Sequence, residues 1–131
     1  MFRKFRIKDI MRIIKKVEER IGKVEAAIIF GSATRSGCGE WSDLDLLVVT
    51  DNIQAMNPLE RFKIIVELTD GKIDLFIYSY DELERMMYRG NPLALSTLIE
   101  GEQIISSNRV LELAEKARRL YKRIGRMWIR R

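Results

Sequence analysis

The chain of 131 residues carries 24 Lys and Arg against 19 Asp and Glu, a formal charge of +5, with 47% apolar and 33% charged residues. That length suits one compact domain over 1–131, the apolar share is too high for a disordered chain, and no apolar run approaches the ~20 residues that span a bilayer. Histidine is absent and cysteine occurs once, at Cys38, which excludes His-based triads, His-based zinc sites and an internal disulfide framework.

In chain order, Ile7, Ile10, Met11, Ile14, Val17 and Ile21 recur at three- and four-residue spacing and predict an amphipathic helix, stopped at Gly22. Val24–Phe30, Leu44–Thr50 and Ile73–Tyr78 are short runs rich in Ile, Val, Leu and aromatics, and read as buried strands. Between the last two, Pro58 to Thr69 reads as a helix with Pro58 at its first position and Leu59, Phe62, Ile65 and Val66 turned inward. Ser79 and Glu82 form a capping box for a helix over Tyr80–Arg89. Asn91-Pro92 opens a further helix that Gly101 closes, and Gln103–Ser106 reads as a short edge strand. From an N-cap at Asn108, apolar residues from Val110 to Trp128 keep helical period, which predicts a C-terminal helix over about 108–130. Strands alternating with helices predict an α/β fold: a small mixed β-sheet flanked by helices, with amphipathic helices at both termini.

Charge is distributed unevenly along these elements. Residues 1–23 carry nine basic and three acidic side chains, residues 115–131 eight and one, and residues 24–114 seven and fifteen. Basic ends of this kind read first as solvated helix faces and second as a surface for nucleic acid or an acidic partner. The basic start leads into no apolar signal core, and one cysteine suits a reducing compartment, so a cytoplasmic protein with no membrane association is the expectation.

The chemistry concentrates in Gly31-Ser32-Ala33-Thr34-Arg35-Ser36-Gly37-Cys38-Gly39-Glu40-Trp41-Ser42-Asp43-Leu44-Asp45-Leu46. Asp43 and Asp45, at i and i+2 on a strand, project from one face. Unpaired, they repel and are costly to desolvate; a divalent cation removes that cost, and hard Mg²⁺ prefers carboxylate oxygens. Asp74 opens a third apolar strand. If the two strands are neighbours in register, three acids converge, an arrangement that holds two metals ~3.5–4 Å apart for in-line phosphoryl displacement. Gly31-Ser32 after a strand lets backbone approach a phosphate closely, Ser32 adds a hydroxyl donor, and Arg35 offers a planar fork to phosphate oxygens. No Walker Lys precedes the Ser. Cys38 reads as passive, and Trp41 either stacks on a base or anchors the loop.

Gly31-Ser32, ten residues, then Asp43-x-Asp45 resembles the signature of the DNA polymerase β-like nucleotidyltransferase superfamily, most closely its minimal nucleotidyltransferase (MNT) branch. Phe30-Gly31-Ser32, Arg35, Ser42 to Val48 and Ile73-Asp74-Leu75 carry the resemblance, which extends more loosely over Ile21–Ile105, a motif-bearing core of about 21–106. Ser36 stands where many relatives have Gly. The resemblance implies a polymerase β-like fold, two Mg²⁺ ions (or Mn²⁺), and ATP or another nucleoside triphosphate as substrate. Asp43, Asp45 and Asp74 would be catalytic and metal-ligating, with Asp74 accepting the proton of the attacking group; Gly31, Ser32 and Arg35 would bind the nucleotide. It further implies transfer of a nucleoside monophosphate to a macromolecular acceptor, with a HEPN-type protein of a toxin–antitoxin pair as the sharpest reading. A non-catalytic nucleotide- or partner-binding module is the alternative, and a nucleic-acid acceptor ranks third. Homo- and hetero-oligomers both remain open.

Overall fold

The computed structural model of the chain describes residues 2–31, 44–69 and 73–131, with side chains from residue 7 onward. Helix α1 spans Phe2–Arg20. Its buried row is Ile10, Ile13, Ile14 and Val17, while Met11 is 44% exposed; the inward stripe is rotated so that Ile13 replaces Met11. Strands β1 (Ala26–Phe30), β2 (Leu44–Val49), β3 (Ile73–Tyr78) and β4 (Glu102–Ile105) form one sheet in the order β3-β2-β1-β4. The pairs β1–β2 and β1–β4 are antiparallel and β2–β3 is parallel, so the sheet is mixed. β1 is buried along its whole length, because both faces of the sheet are covered.

Alternation of side chains across the strands divides the core in two. Ala27, Ile29, Leu46, Val48, Leu75 and Ile77 pack with α1. Ala26, Ile28, Phe30, Leu47 and Val49 pack on the opposite face against the helices of the second half of the chain.

Helix α2 (Pro58–Leu68) begins with Pro at its first turn, and Asn57 and Glu60 form a reciprocal capping box. Its inward face differs from the expected one. Leu59, Phe62 and Val66 are 63%, 63% and 57% exposed, whereas Leu68 is buried and Ile64 and Ile65 pack partly against the first core. The sequence holds two helical rows, 59-62-66 and 61-64-65-68. The second turns inward because Arg61, in that row, ties α2 down: Nη1 donates to both Glu82 oxygens (3.1 and 2.9 Å) and Nη2 to the Ile53 carbonyl (3.2 Å).

Helix α3 (Tyr80–Tyr88) carries the expected Ser79–Glu82 capping box. Helix α4 (Pro92–Leu95) starts at Asn91, whose side chain accepts from the Leu93 and Ala94 amides, and runs into a π-helical turn over Ser96–Glu100 that ends before Gly101. Helix α5 spans Asn108–Leu120, capped by Ser107 rather than Asn108.

The expected helix to residue 130 is corrected. α5 ends at Leu120, and the chain turns back as a hairpin of β5 (Tyr121–Ile124) and β6 (Met127–Arg130). Gly125, at φ +61°, starts the two-residue connection, the backbone that Gly-x hairpin turns require. Arg131 completes the break: its amide donates to the Leu120 carbonyl (2.8 Å) and its Nε to the Arg118 carbonyl (3.0 Å), satisfying acceptors left open at the helix end. Among the described residues, no helix is long and apolar enough to cross a membrane.

Candidate functional site

Three chain segments meet at one end of the sheet: the C-terminal end of β1 and the N-terminal ends of β2 and β3. There Asp45 is the Cα partner of Phe30 on one side and of Asp74 on the other. Because paired residues in adjacent strands share a face, the two carboxylates project together, on the face that carries Phe30, Leu47 and Phe76. The Phe30 and Phe76 rings lie 5.9 Å apart beneath them. Asp45 is half-buried and Asp74 exposed.

Gly31 follows β1 with φ +99°. A Cβ on Gly31 would fall 2.5 Å from Asp45 Oδ2, so glycine serves both the backbone angle and the close approach of the carboxylate. Beside this corner opens a cavity of about 260 Å³, lined by Phe30, Gly31, Asp45, Pro92, Leu93, Ser96, Glu100 and Arg123. Its polar groups converge from β2, the π-helical turn and the hairpin.

The structure thus brings Gly31, Asp45 and Asp74 together. Ser32, Arg35 and Asp43, and with them Cys38 and Trp41, lie outside the described residues. Among the described residues, no three acidic or thiol side chains form a metal-binding group; Asp45 and Asp74 supply two carboxylates. Arg123 was not among the residues singled out from sequence, since a continuous helix gave it no reason to face β1. The available signal was Gly125-Arg126 flanked by Tyr-Lys-Arg-Ile and Met-Trp-Ile-Arg, a two-residue hairpin pattern. Burial pushes the Tyr78 and Tyr80 phenols above their ordinary range, in keeping with packing positions.

A second charged cluster sits at the opposite end of the sheet. Arg109 donates from Nε and Nη2 to Glu25 (2.6 Å each) and from Nη2 to Asp51 (2.7 Å), with its guanidinium 4.2 Å from the Tyr80 ring centre. The Arg109 donors hold the Glu25 carboxyl below the usual range. Asp51 is held low first by the Tyr80 amide (3.1 Å) and then by Arg109. Glu25 also accepts from the Ser107 hydroxyl (2.7 Å). This cluster fastens α5 to the strand ends and lies away from Asp45 and Asp74.

A mixed four-stranded sheet, helices on both faces and strand-borne acids at one end together define a nucleotidyltransferase-like α/β fold. The family model described as Polymerase beta, Nucleotidyltransferase matches residues 10–110. The chain belongs to that family. Among curated proteins, none matches it. Of the solved structures, a protein of Sulfolobus solfataricus assigned as a nucleotidyltransferase is 28% identical, with 60% of this chain and 70% of that one aligned at a TM-score of 0.50. A toxin–antitoxin structure with AMP-PNP is 17% identical over 82% of each chain, TM-score 0.53. A tri-AMPylated Shewanella oneidensis HEPN toxin in complex with its MNT antitoxin is 17% identical over 84% of this chain and 81% of that one, TM-score 0.53. At these last identities the likeness shows the fold.

Proposed function

We propose that this chain is a metal-dependent nucleotidyltransferase that moves AMP from ATP to a macromolecular acceptor, and that the acceptor is a HEPN-type toxin to which it serves as antitoxin. The observation that carries the transferase reading is the register of β2 and β3, which sets Asp45 opposite Asp74 while Gly31 packs on Asp45. Family membership supports it. The acceptor reading is supported by fold neighbours from toxin–antitoxin complexes, one with AMP-PNP and one in which a tri-AMPylated HEPN toxin is held with an MNT antitoxin.

The residues present fit divalent cations. Asp45 and Asp74 put two oxygen-donor side chains on one face at one level, the donor chemistry that Mg²⁺ selects. With Asp43 they would hold two ions, which when bound neutralise charge on the phosphates in phosphoryl transfer. The remaining work belongs to the chain. Gly31, without a side chain, admits a phosphate group close to backbone amides, and Ser32 and Arg35 add donors to it. Asp74 accepts the proton of an acceptor hydroxyl as its oxygen bonds to the α-phosphorus; the bond from that phosphorus to the bridging oxygen breaks, and pyrophosphate leaves.

The test pairs a titration with a transfer assay using α-labelled ATP, offering a HEPN-type protein and RNA as acceptors. Asp74→Asn should bind Mg·ATP within a few-fold of wild type yet transfer label at least roughly a hundred-fold more slowly, the low end for a positioned acid or base. Wild-type transfer rates in that variant would remove Asp74 from the mechanism. Label on RNA alone would overturn the toxin reading, and nucleotide binding without transfer to either would favour a binding module.

A further inference from the structure

We infer that Arg123 binds the terminal phosphates of the nucleotide, the part that leaves as pyrophosphate, and that Glu100 positions it. The inference rests on the nucleotidyl-transfer reading above. It concerns a residue of the hairpin, which lies beyond residues 10–110 matched by the family.

Direction is the first argument. In-line displacement puts the entering and leaving oxygens on opposite sides of the phosphorus. Asp45 stands on β2, between Asp74 on β3 and Phe30-Gly31 at the end of β1. With Asp74 serving the entering hydroxyl, the leaving group lies toward β1. That is where the cavity opens, lined by Gly31, Asp45 and Arg123 together.

Charge is the second argument. The cavity wall carries two carboxylates, Asp45 and Glu100, and Arg123 is the only cation among the described residues that line it. A polyphosphate entering there needs that guanidinium, whose planar fork matches phosphate oxygens.

Preorganisation is the third. Arg123 Nη2 donates to Glu100 Oε1 (3.0 Å) and Nη1 to the Gly125 carbonyl (3.3 Å). Its Nε lies 2.8 Å from Glu100 Oε2, yet out of line for a hydrogen bond, so that contact is electrostatic. The Trp128 ring, its cross-strand partner, lies 4.7 Å away. The two hydrogen bonds use two of five guanidinium N–H groups. The side chain is therefore held in place with donors to spare, so ordering it on binding costs little entropy.

The experiment titrates Mg·ATP and Mg·pyrophosphate into wild type, Arg123→Ala, Arg123→Lys and Glu100→Gln, with melting temperatures of each unliganded protein. Arg123→Ala should weaken both ligands at least about tenfold, the loss of charge-assisted hydrogen bonds. Arg123→Lys should recover part of this, keeping the charge without the fork. Glu100→Gln should weaken both ligands by only about threefold, since the guanidinium remains but loses the carboxylate that orients it. Equal losses in Arg123→Ala and Glu100→Gln would overturn the inference, because the ion pair would then only prop the cavity. Wild-type affinity in Arg123→Ala would overturn it as well. Should Arg123→Ala melt before it can be titrated, the comparison of Arg123→Lys with Glu100→Gln decides by the same ordering. Wild type that bound neither ligand would instead overturn the nucleotidyl-transfer reading on which the inference stands.

Discussion

Asp45 and Asp74 are Cα partners across the parallel pair β2–β3, each the second residue of its strand. Like charges directly opposite one another repel, and a cation bound between them would offset that repulsion. Asp45→Asn should remove the rise in melting temperature that Mg²⁺ brings to wild type, since a ligand stabilises only the fold that binds it. Melting curves with and without Mg²⁺ check this; an undiminished Mg²⁺ effect in the variant would place the metal elsewhere.

Gly31 is the second test of the corner. Its φ of +99° disfavours any L side chain, and a Cβ would sit 2.5 Å from Asp45 Oδ2. Gly31→Ala should cost about 1–3 kcal/mol of stability, the range for a residue forced into a sparsely populated backbone region. It should weaken Mg·ATP as well, because the methyl group displaces the Asp45 carboxylate. Urea unfolding and a nucleotide titration read the two effects separately.

At the far end of the sheet, Arg109 gives a pH signature. Glu25 and Asp51 have folded values below their unfolded ones. Their stabilisation is therefore complete above the unfolded carboxylate range and is lost as pH falls through the lowered folded values. Arg109→Ala should destabilise the protein at pH 7, and the gap to wild type should narrow as pH drops from about 5 to about 3. A gap independent of pH would mean that Arg109 contributes by packing on Tyr80 alone.

Helix α2 tests which row faces the core. Phe62 is 63% exposed and Leu68 6%. Phe62→Ser should shift stability by no more than about 0.5 kcal/mol, as surface substitutions do. Leu68→Ala should cost about 2–4 kcal/mol, the transfer and cavity terms of a buried leucine. Urea midpoints of the two variants rank them, and the reverse order would turn the helix over.

Features set by near neighbours in the chain were readable in advance. The capping box at Ser79–Glu82 closes within four residues, so composition and spacing specify it, as Pro58 did for the start of α2. Strands β1 to β3 were legible because runs of five or six residues, apolar throughout except for Asp45 in β2 and Asp74 in β3 and bounded by polar or Gly positions, have few other ways to be buried. The spacing from Gly31-Ser32 to Asp43-x-Asp45 was legible as a motif for the same reason: it is a local string.

Tertiary structure decided what depended on distant partners. The sequence placed an acid at the head of each of two strands, but only their register made Asp45 and Asp74 neighbours across 29 positions. Helical period alone allowed two inward rows in α2, and the anchoring of Arg61 to Glu82 and Ile53 selected one. After Leu120, apolar residues at helical spacing also satisfied a hairpin, in which Tyr121 and Arg123 share a face with Trp128 and Arg130. Tyr121 there donates to the Tyr88 carbonyl (3.2 Å) and Arg123 pairs with Glu100. Periodicity states which residues want burial; the surfaces brought against them by the rest of the chain determine which of them obtain it.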